Sequence, residues 1–418
     1  MKYTFNGQGL ITLPGSKSIA IRALIVATFL NKPLKIYNFP SCEDSITLLE
    51  ALQILGFKSQ VEKDFLNLSP PTTVTLNPDI YIKDSAAALR FLLLRLAGWQ
   101  DMNARIKLSP QLNERPVEPF LDLIPALGGD AFKSGTMIYV KGKVFLSLTK
   151  EAEEILAQNA SISSQFLSAI LLSTPLFEKG IRIKQTKEQV SSSYISLTLK
   201  VLESFGIKIY REEGYVVINQ QDYLNPETYT IEEDFSSACY FWALGALSSN
   251  PIGIVTEKTT SQQADFQFLE LLRNMGAAVN ITGKTITVKS RALHGTEADM
   301  GDMPDQVPTL AVLALFADSK TKITNIHHLR YKESDRISAL VTELLKIGID
   351  IHFEGETLTI NPLLSDPPPV TLNTYNDHRL VMSFTILTSI FQQIQIDSRE
   401  SVRKSFPDFF DKLAMITV

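Results

Sequence analysis

One pattern of apolar and polar positions returns five times along the chain: an amphipathic helical stretch, a glycine, then a segment that alternates apolar and polar residues as a strand does. Its copies are LLEALQILGFKSQV, FLDLIPALGGDAF, LTLKVLESFGIKIY, FLELLRNMGAAVNI and LVTELLKIGIDIHF, with Gly56, Gly128, Gly206, Gly276 and Gly348 at the junctions. Gaps of 72, 78, 70 and 72 residues separate these glycines. A helix that ends where the chain reverses into a strand needs a residue tolerant of the left-handed conformation, and glycine supplies it. A period of roughly 70 residues is too long for a solenoid unit and suits a whole βαβ-plus-hairpin subdomain.

Several copies continue as hairpins, as in residues 277–289 and 349–361, where Val/Ile/Thr alternation flanks a glycine-containing turn. The C-terminal FFDKLAMITV has the pattern of a sixth helix and strand without its glycine. Six units predict two domains of three units each, joined near Asn225 to Thr230, and the alternation of helices with strands places the chain in the α/β class.

Composition narrows the function classes. The 418 residues allow two or three domains, and 40 Lys+Arg against 45 Asp+Glu, a net charge of -5, exclude a general affinity for nucleic acid. Two cysteines, Cys42 and Cys239, exclude a disulfide framework and a zinc-type pair, so a cytoplasmic location is expected. The longest apolar run, Ala238 to Leu247, is about half of the roughly 20 residues that a membrane span needs, and it predicts a buried helix. Lys17 and Arg22 interrupt the N-terminal apolar stretch, which is expected to be mature sequence rather than a cleaved leader.

The polar chemistry gathers at four helix starts: residues 14–30, 161–172, 331–345 and 375–387. In each, Ser, Asn or Asp precedes a strongly apolar helix, with Lys or Arg alongside in three and Gln165 in the second. In the third, Ser334 is the expected N-cap, and Ile337, Leu340, Val341, Leu344 and Leu345 form one apolar face. Lys332, Glu333 and Arg336 then lie at the positive end of that helix, where free N–H groups beside a cation suit a phosphate or a carboxylate. Any one segment alone reads as a capped helix with a solvated charge; four together point to an anionic ligand.

Other ligand classes fall away. GSKS at 15–18 lacks the GxxxxGK[ST] spacing of a phosphate loop, and no GxGxxG follows a strand. The histidines His294, His327, His328, His352 and His378 lack metal-ligand spacing, so neither a metal nor another cofactor is expected.

The segments LPGSKSIAIRAL, ERP, SISSQFLSAIL, VSSSYISLTL, KESDR, YNDHR and RKSFPDFF, in this order over nearly the whole chain, resemble the 5-enolpyruvylshikimate-3-phosphate synthase (3-phosphoshikimate 1-carboxyvinyltransferase) family. KESDR together with YNDHR is highly specific; GSKS alone is weak. The resemblance implies a two-domain inside-out α/β barrel of six βαβαββ-type repeats, three per domain, with an interdomain active-site cleft that closes like a hinge. It also assigns the first strand to the C-terminal domain, giving residues 14–228 as one domain and 1–13 plus 229–418 as the other.

The activity implied is transfer of the enolpyruvyl group of phosphoenolpyruvate to the 5-hydroxyl of shikimate 3-phosphate, with release of phosphate. By resemblance, Lys17, Ser18, Arg22, Ser163, Ser164, Ser191, Tyr194, Asp305 and Lys332 hold shikimate 3-phosphate. Lys17, Arg115, Gln165 and Lys404 hold the phosphate of phosphoenolpyruvate, and Arg336 and Arg379 its carboxylate, a task suited to the planar, two-pronged guanidinium. Asp305, Glu333 and Lys17 are the implied catalytic residues. Without the family context Arg115 reads as a turn residue, Lys404 as a solvated lysine and Glu333 beside Lys332 as a surface ion pair. A monomer acting on small molecules alone, with no nucleic acid or membrane partner, is expected.

Departures from the family pattern are concentrated at DSAAA (84–88), before Arg90, where relatives usually carry NAGTA. Ala86 and Ala87 replace a glycine and a threonine expected to line the phosphoenolpyruvate pocket, so an added methyl there is expected to lower sensitivity to glyphosate, a larger competitor. Asp84 puts a carboxylate near an anion site, a cost that Arg90 or another cation must offset. Ile21 replaces the usual asparagine before Arg22, and His328 stands where an asparagine often contacts the substrate phosphate. Two alternatives are a UDP-N-acetylglucosamine enolpyruvyl transferase, whose relatives carry a lysine–asparagine pair where Lys17 and Ser18 stand, and a non-catalytic descendant that binds shikimate 3-phosphate.

Overall fold

The computed structural model describes residues 4–145, 147–159, 163–184 and 192–417. They form two compact units: Gly15–Glu232, and the residues up to Pro14 together with those from Glu233 onward. Each unit has its own hydrophobic core.

A single strand pattern recurs in both units. In Gly15–Glu232, Leu34–Tyr37 lies between a parallel partner, Thr228–Thr230, and an antiparallel one, Phe65–Ser69, which in turn pairs with Lys58–Val61. The same order, one parallel pair followed by two antiparallel ones, joins Asp79–Ile82, Asn103–Leu108, Met137–Lys141 and Asp130–Ser134. Ile181–Lys184, Tyr215–Ile218 and Tyr210–Glu212 repeat the antiparallel part. In the other unit the full pattern appears in Gly9–Thr12 with Ile252–Val255, Thr285–Lys289 and Ala278–Thr282, and in Glu297–Asp299 with Thr321–Thr324, Thr357–Ile360 and Ile351–Glu354. Val370–Leu372 and Ile394–Ile396 keep only the parallel pair.

The strands are amphipathic at period two: Leu34 and Ile36 are buried, while Lys35 and Tyr37 face outward. Gly56, Gly128, Gly206, Gly276 and Gly348 all have positive φ, between 81° and 101°, as the capping argument requires. The two hairpins expected at 277–289 and 349–361 are present.

Three helices fill the centre of each unit. Lys17–Ala27, Ala86–Ala97 and Gln165–Leu172 pack on one another in the first, and Phe235–Leu247, Val307–Ala314 and His378–Thr388 in the second. They are apolar nearly all round and almost wholly buried, which is the condition for a central helix. The amphipathic helices before the glycines lie outside them, one apolar face inward; in Arg336–Lys346, Ile337, Leu340 and Leu344 are buried while Leu345 is exposed.

Three local expectations change. The segment from Asn225 to Thr230 ends in the strand Thr228–Thr230, so residues 229–232 go with Gly15–Glu232 and Pro14 goes with the other unit. FFDKLAMITV forms the helix Phe409–Ile416, after which Thr417 makes one bridge to Gly7 in place of a full strand. Asp335, not Ser334, caps the helix that begins at Arg336: its carboxylate accepts the Ser338 N–H at 3.1 Å, while the Ser334 hydroxyl turns to Asp377 at 3.1 Å. A carboxylate is the stronger acceptor for the positive end of a helix.

Candidate active site

In Gly15–Glu232 the polar side chains stand at the starts of the buried helices. Lys17 is the first residue of its helix, and its ammonium pairs with Asp44 at 2.8 Å. Ser18, one residue on, contributes its carbonyl to the Arg22 guanidinium at 2.7 Å. Arg22, 3% exposed, also donates to the Thr198 hydroxyl at 2.8 Å and the Tyr194 carbonyl at 3.3 Å, and lies over the Phe91 ring. Burial lowers its pKa to about 10, so it remains a cation at neutral pH. A buried cation held by a hydroxyl and two carbonyls is prepared for an anion.

A second group is tied together by Arg90. Its guanidinium donates to Gln165 Oε1 at 2.8 Å, to the Pro116 carbonyl at 2.6 Å and, at 3.5 Å, to the Ser163 hydroxyl. Gln165 begins the third buried helix, with Ser164 as its N-cap, and Arg115 occupies the turn after Pro110–Asn113. Arg90 thus gathers Ser163, Gln165 and the turn that carries Arg115. Ala86 is the first residue of the helix Ala86–Ala97 and is 3% exposed, with Ala87 partly buried beside it. Asp84 accepts a short hydrogen bond from Ser109. Ser191 lies outside the described residues.

The other unit carries a charge cluster. Asp305, on the short helix Pro304–Gln306, accepts from Arg336 Nη1 through Oδ1 at 2.9 Å and from Arg379 Nη2 through Oδ2 at 2.8 Å. Arg336, 1% exposed, also donates to Glu333 at 2.8 Å and makes a two-point contact with Asp377 at 2.8 and 3.2 Å. Lys404 lies 3.5 Å from the other oxygen of Glu333, and Arg379 donates to the Tyr240 hydroxyl at 3.1 Å. Glu333 and Lys404 are therefore members of a largely buried network, not a surface pair and a tail lysine.

Electrostatics sets the protonation of this cluster. Burial pushes the Asp305 carboxyl up, but Arg379, Arg336 and Lys332 outweigh it and hold the group well below the usual carboxylate range. Asp305 is therefore an anion at neutral pH with both oxygens engaged by guanidiniums. Burial would lower the Arg336 pKa, yet Asp377, Glu333 and Asp305 together raise it. His328, 1% exposed, is lowered to about 3 by burial, Lys332 and His327, and is neutral. Among the described residues no group of three or more His, Cys, Asp or Glu is placed to hold a metal ion, and no helix is long and apolar enough to cross a membrane. Both cysteines are buried thiols.

Sequence patterns pointed to the cations but missed several of their partners. Asp44, Thr198 and Tyr240 sit on other helices, and only the packing of those helices brings them to Lys17, Arg22 and Arg379. Asp377 lies inside YNDHR and follows the N-cap rule for the helix His378–Thr388, a signal that marks a cap and conceals an ion-pair role.

The chain matches the model of the EPSP synthase (3-phosphoshikimate 1-carboxyvinyltransferase) family over residues 5–413. It is 32% identical to the 3-phosphoshikimate 1-carboxyvinyltransferase of Colwellia psychrerythraea, over 98% of this chain and 97% of that one. The enzyme of the same name from Haemophilus influenzae is also 32% identical, over 98% and 96%. Among solved structures, an EPSP synthase from Acinetobacter baumannii superposes with a TM-score of 0.78 at 22% identity, over 99% of this chain and 96% of that one. The enolpyruvyl transferase NikO from Streptomyces tendae superposes with a TM-score of 0.73 at 16% identity, over 98% and 95%. Those two likenesses speak for the fold; the family match and the sequence relatives show that the chain belongs to the EPSP synthase family.

Proposed function

We propose that this protein transfers the enolpyruvyl group of phosphoenolpyruvate to the 5-hydroxyl of shikimate 3-phosphate and releases phosphate. The observation that carries this reading is the Asp305 carboxylate held ionised between Arg336 and Arg379, with Glu333 and Lys404 in the same network. Membership of the family supports the choice of substrates.

The reaction moves protons in opposite directions. The 5-hydroxyl loses its proton to Asp305 as its oxygen attacks C2 of phosphoenolpyruvate, and C3 gains a proton from Glu333, which enters this step in its protonated form. In the tetrahedral adduct C3 returns a proton to Glu333, the C2–O bond to phosphate breaks, and Lys17 stabilises the departing oxygen. Such positioned groups typically contribute about 10²–10⁴-fold each, and charge clamping and orientation supply much of the rest.

The binding roles follow the same assignment. Shikimate 3-phosphate is held by Lys17, Ser18, Arg22, Ser163, Ser164, Ser191, Tyr194, Asp305 and Lys332. Lys17, Arg115, Gln165 and Lys404 grip the phosphate of phosphoenolpyruvate, and Arg336 and Arg379 its carboxylate. Arg90 holds Gln165 and Ser163 in place. The enzyme acts as a cytoplasmic monomer without a cofactor, and Ala86 lowers its sensitivity to glyphosate.

Phosphate release by the purified protein, with shikimate 3-phosphate and phosphoenolpyruvate and no added metal, tests the proposal. A parallel reaction contains UDP-N-acetylglucosamine in place of shikimate 3-phosphate. Release only with shikimate 3-phosphate is expected. Ligand-induced stabilisation with no release in either reaction would place the protein among binding proteins and overturn the proposal.

A further inference from the structure

Glu343 lies seven residues, and so two turns, after Arg336 on the helix Arg336–Lys346, and it is wholly buried. A carboxylate buried to this degree requires donors on its oxygens. It has three: the Tyr375 hydroxyl at 2.7 Å, the Asn373 N–H at 2.9 Å and the Lys346 ammonium at 2.6 Å. Between the two anchored residues, Thr374 donates both its N–H and its hydroxyl to Asp397, at 2.9 and 2.6 Å.

The backbone that follows is strained. Tyr375 and Asn376 have φ of 54° and 53°, two consecutive side-chain-bearing residues in the left-handed region. For a tyrosine this costs about 1–2 kcal/mol and persists only where its surroundings hold it, whereas an asparagine, whose short polar side chain bonds locally, pays less. The next residue is Asp377, which makes the two-point contact with Arg336 and caps the helix whose second residue is Arg379. One helix therefore grips both ends of residues 373–377, with Glu343 at the start and Arg336 at the end.

We propose that Glu343, acting through Tyr375, is the positioning residue that holds the left-handed Tyr375–Asn376 turn and so aims the Arg336 and Arg379 guanidiniums at a ligand carboxylate. The inference rests on the assignment of the phosphoenolpyruvate carboxylate to that pair. Burial and the Glu343 carboxylate push the Tyr375 phenol up to about 12, so it keeps its proton and donates throughout the neutral range. Once the strap is released, Asn376 relaxes out of the left-handed region, Asp377 turns, and Arg336 loses the partner that fixes its plane. Asp305 and Lys332, assigned to the other substrate, lie outside residues 373–377 and are not gripped by the strap.

The test is steady-state kinetics of the full chain carrying Tyr375→Phe or Glu343→Gln, with Arg379→Lys as a comparison and Asn376→Gly added to Glu343→Gln. In both strap variants the KM for phosphoenolpyruvate is expected to rise about tenfold, while kcat and the KM for shikimate 3-phosphate stay within about twofold. Glycine adopts the left-handed conformation without a Cβ penalty, so Asn376→Gly should recover most of the loss. Tyr375→Phe with the parental KM overturns the inference, as does a uniform loss in every parameter that Asn376→Gly leaves unrepaired. A raised KM in Arg379→Lys beside a parental value in Tyr375→Phe sinks the strap alone. A parental KM in Arg379→Lys sinks the carboxylate assignment and the strap with it.

Discussion

Arg336 and Asp377 meet through two parallel hydrogen bonds, Nε to Oδ2 at 2.8 Å and Nη2 to Oδ1 at 3.2 Å, with 1% and 0% of their side chains exposed. Only a guanidinium presents two donors in this fixed fork while keeping a third nitrogen for Asp305. Arg336→Lys takes the two-point partner from the buried Asp377 and offers one ammonium in place of three guanidinium nitrogens, while Asp305 keeps Arg379 and Glu333 keeps Lys404. Stability should fall by about 3–5 kcal/mol, the range for breaking a buried pair, and kcat/KM for phosphoenolpyruvate by about 10² or more. Urea unfolding and initial rates check both, and a variant within threefold of the parent in kcat/KM would exclude a substrate-holding role.

Asp305→Asn keeps the shape of the side chain and removes the charge between two guanidiniums. The assigned role as acceptor of the hydroxyl proton predicts a fall in kcat of about 10²–10⁴-fold, larger than the accompanying weakening of shikimate 3-phosphate binding. Single-turnover phosphate release alongside ligand-induced thermal stabilisation separates the two effects. Activity near the parental level would transfer the base role to another group.

Asp265 and Asp305 predict opposite pH dependences of stability. Asp265 is buried, accepts from Ser236 and from Gln306 at 3.1 Å, and is raised from 3.8 to about 6 by burial and then by Asp305. Its folded form holds the proton more tightly than the unfolded chain does, so its contribution to stability is full below pH 3.8 and is lost as pH rises to about 6. Asp305, whose pKa is depressed, contributes above 3.8 and loses that contribution as pH falls. Asp265→Asn should therefore stabilise the protein by about 1–3 kcal/mol at pH 7.5 and by much less at pH 4.5. Equal midpoints for parent and variant at pH 7.5 would show that the carboxyl carries no such penalty.

His328 has neither ring nitrogen hydrogen-bonded among the described residues, and its pKa is lowered from 6.5 to about 3. The unfolded chain takes up a proton below pH 6.5 that the folded protein refuses, so stability is lost as pH falls from 6.5 toward 3. His328→Asn removes this term. Relative to the parent, it should gain about 1–2 kcal/mol between pH 7.5 and pH 5. Parallel thermal melts at the two pH values decide the point; melting curves that shift together would contradict it.

Ala86→Gly tests the departure at residues 84–88. Removing the methyl at the buried start of the helix Ala86–Ala97 is expected to lower the glyphosate concentration for half-inhibition about tenfold or more, as one methyl in a pocket allows. The helix itself should lose only about 0.5–1 kcal/mol. A parent already inhibited at low micromolar glyphosate would end the argument.

The sequence by itself determined what depends on neighbours along the chain. The five glycines end helices, and the 3.6 and 2 periodicities mark which face of each element is apolar, because both are properties of a few consecutive residues. Lys17, Arg336 and Arg379 stood out for the same reason, as charges at the starts of apolar helices. Tertiary structure decided the pairings. Asp305 reaches Arg336 across 31 residues, Asp377 reaches it across 41, and Tyr375 reaches Glu343 across 32. Which carboxylate meets which guanidinium depends on how the helices pack and on two left-handed residues with no glycine to announce them. Local pattern carries no trace of a contact whose free energy comes from burial and from a partner dozens of residues away.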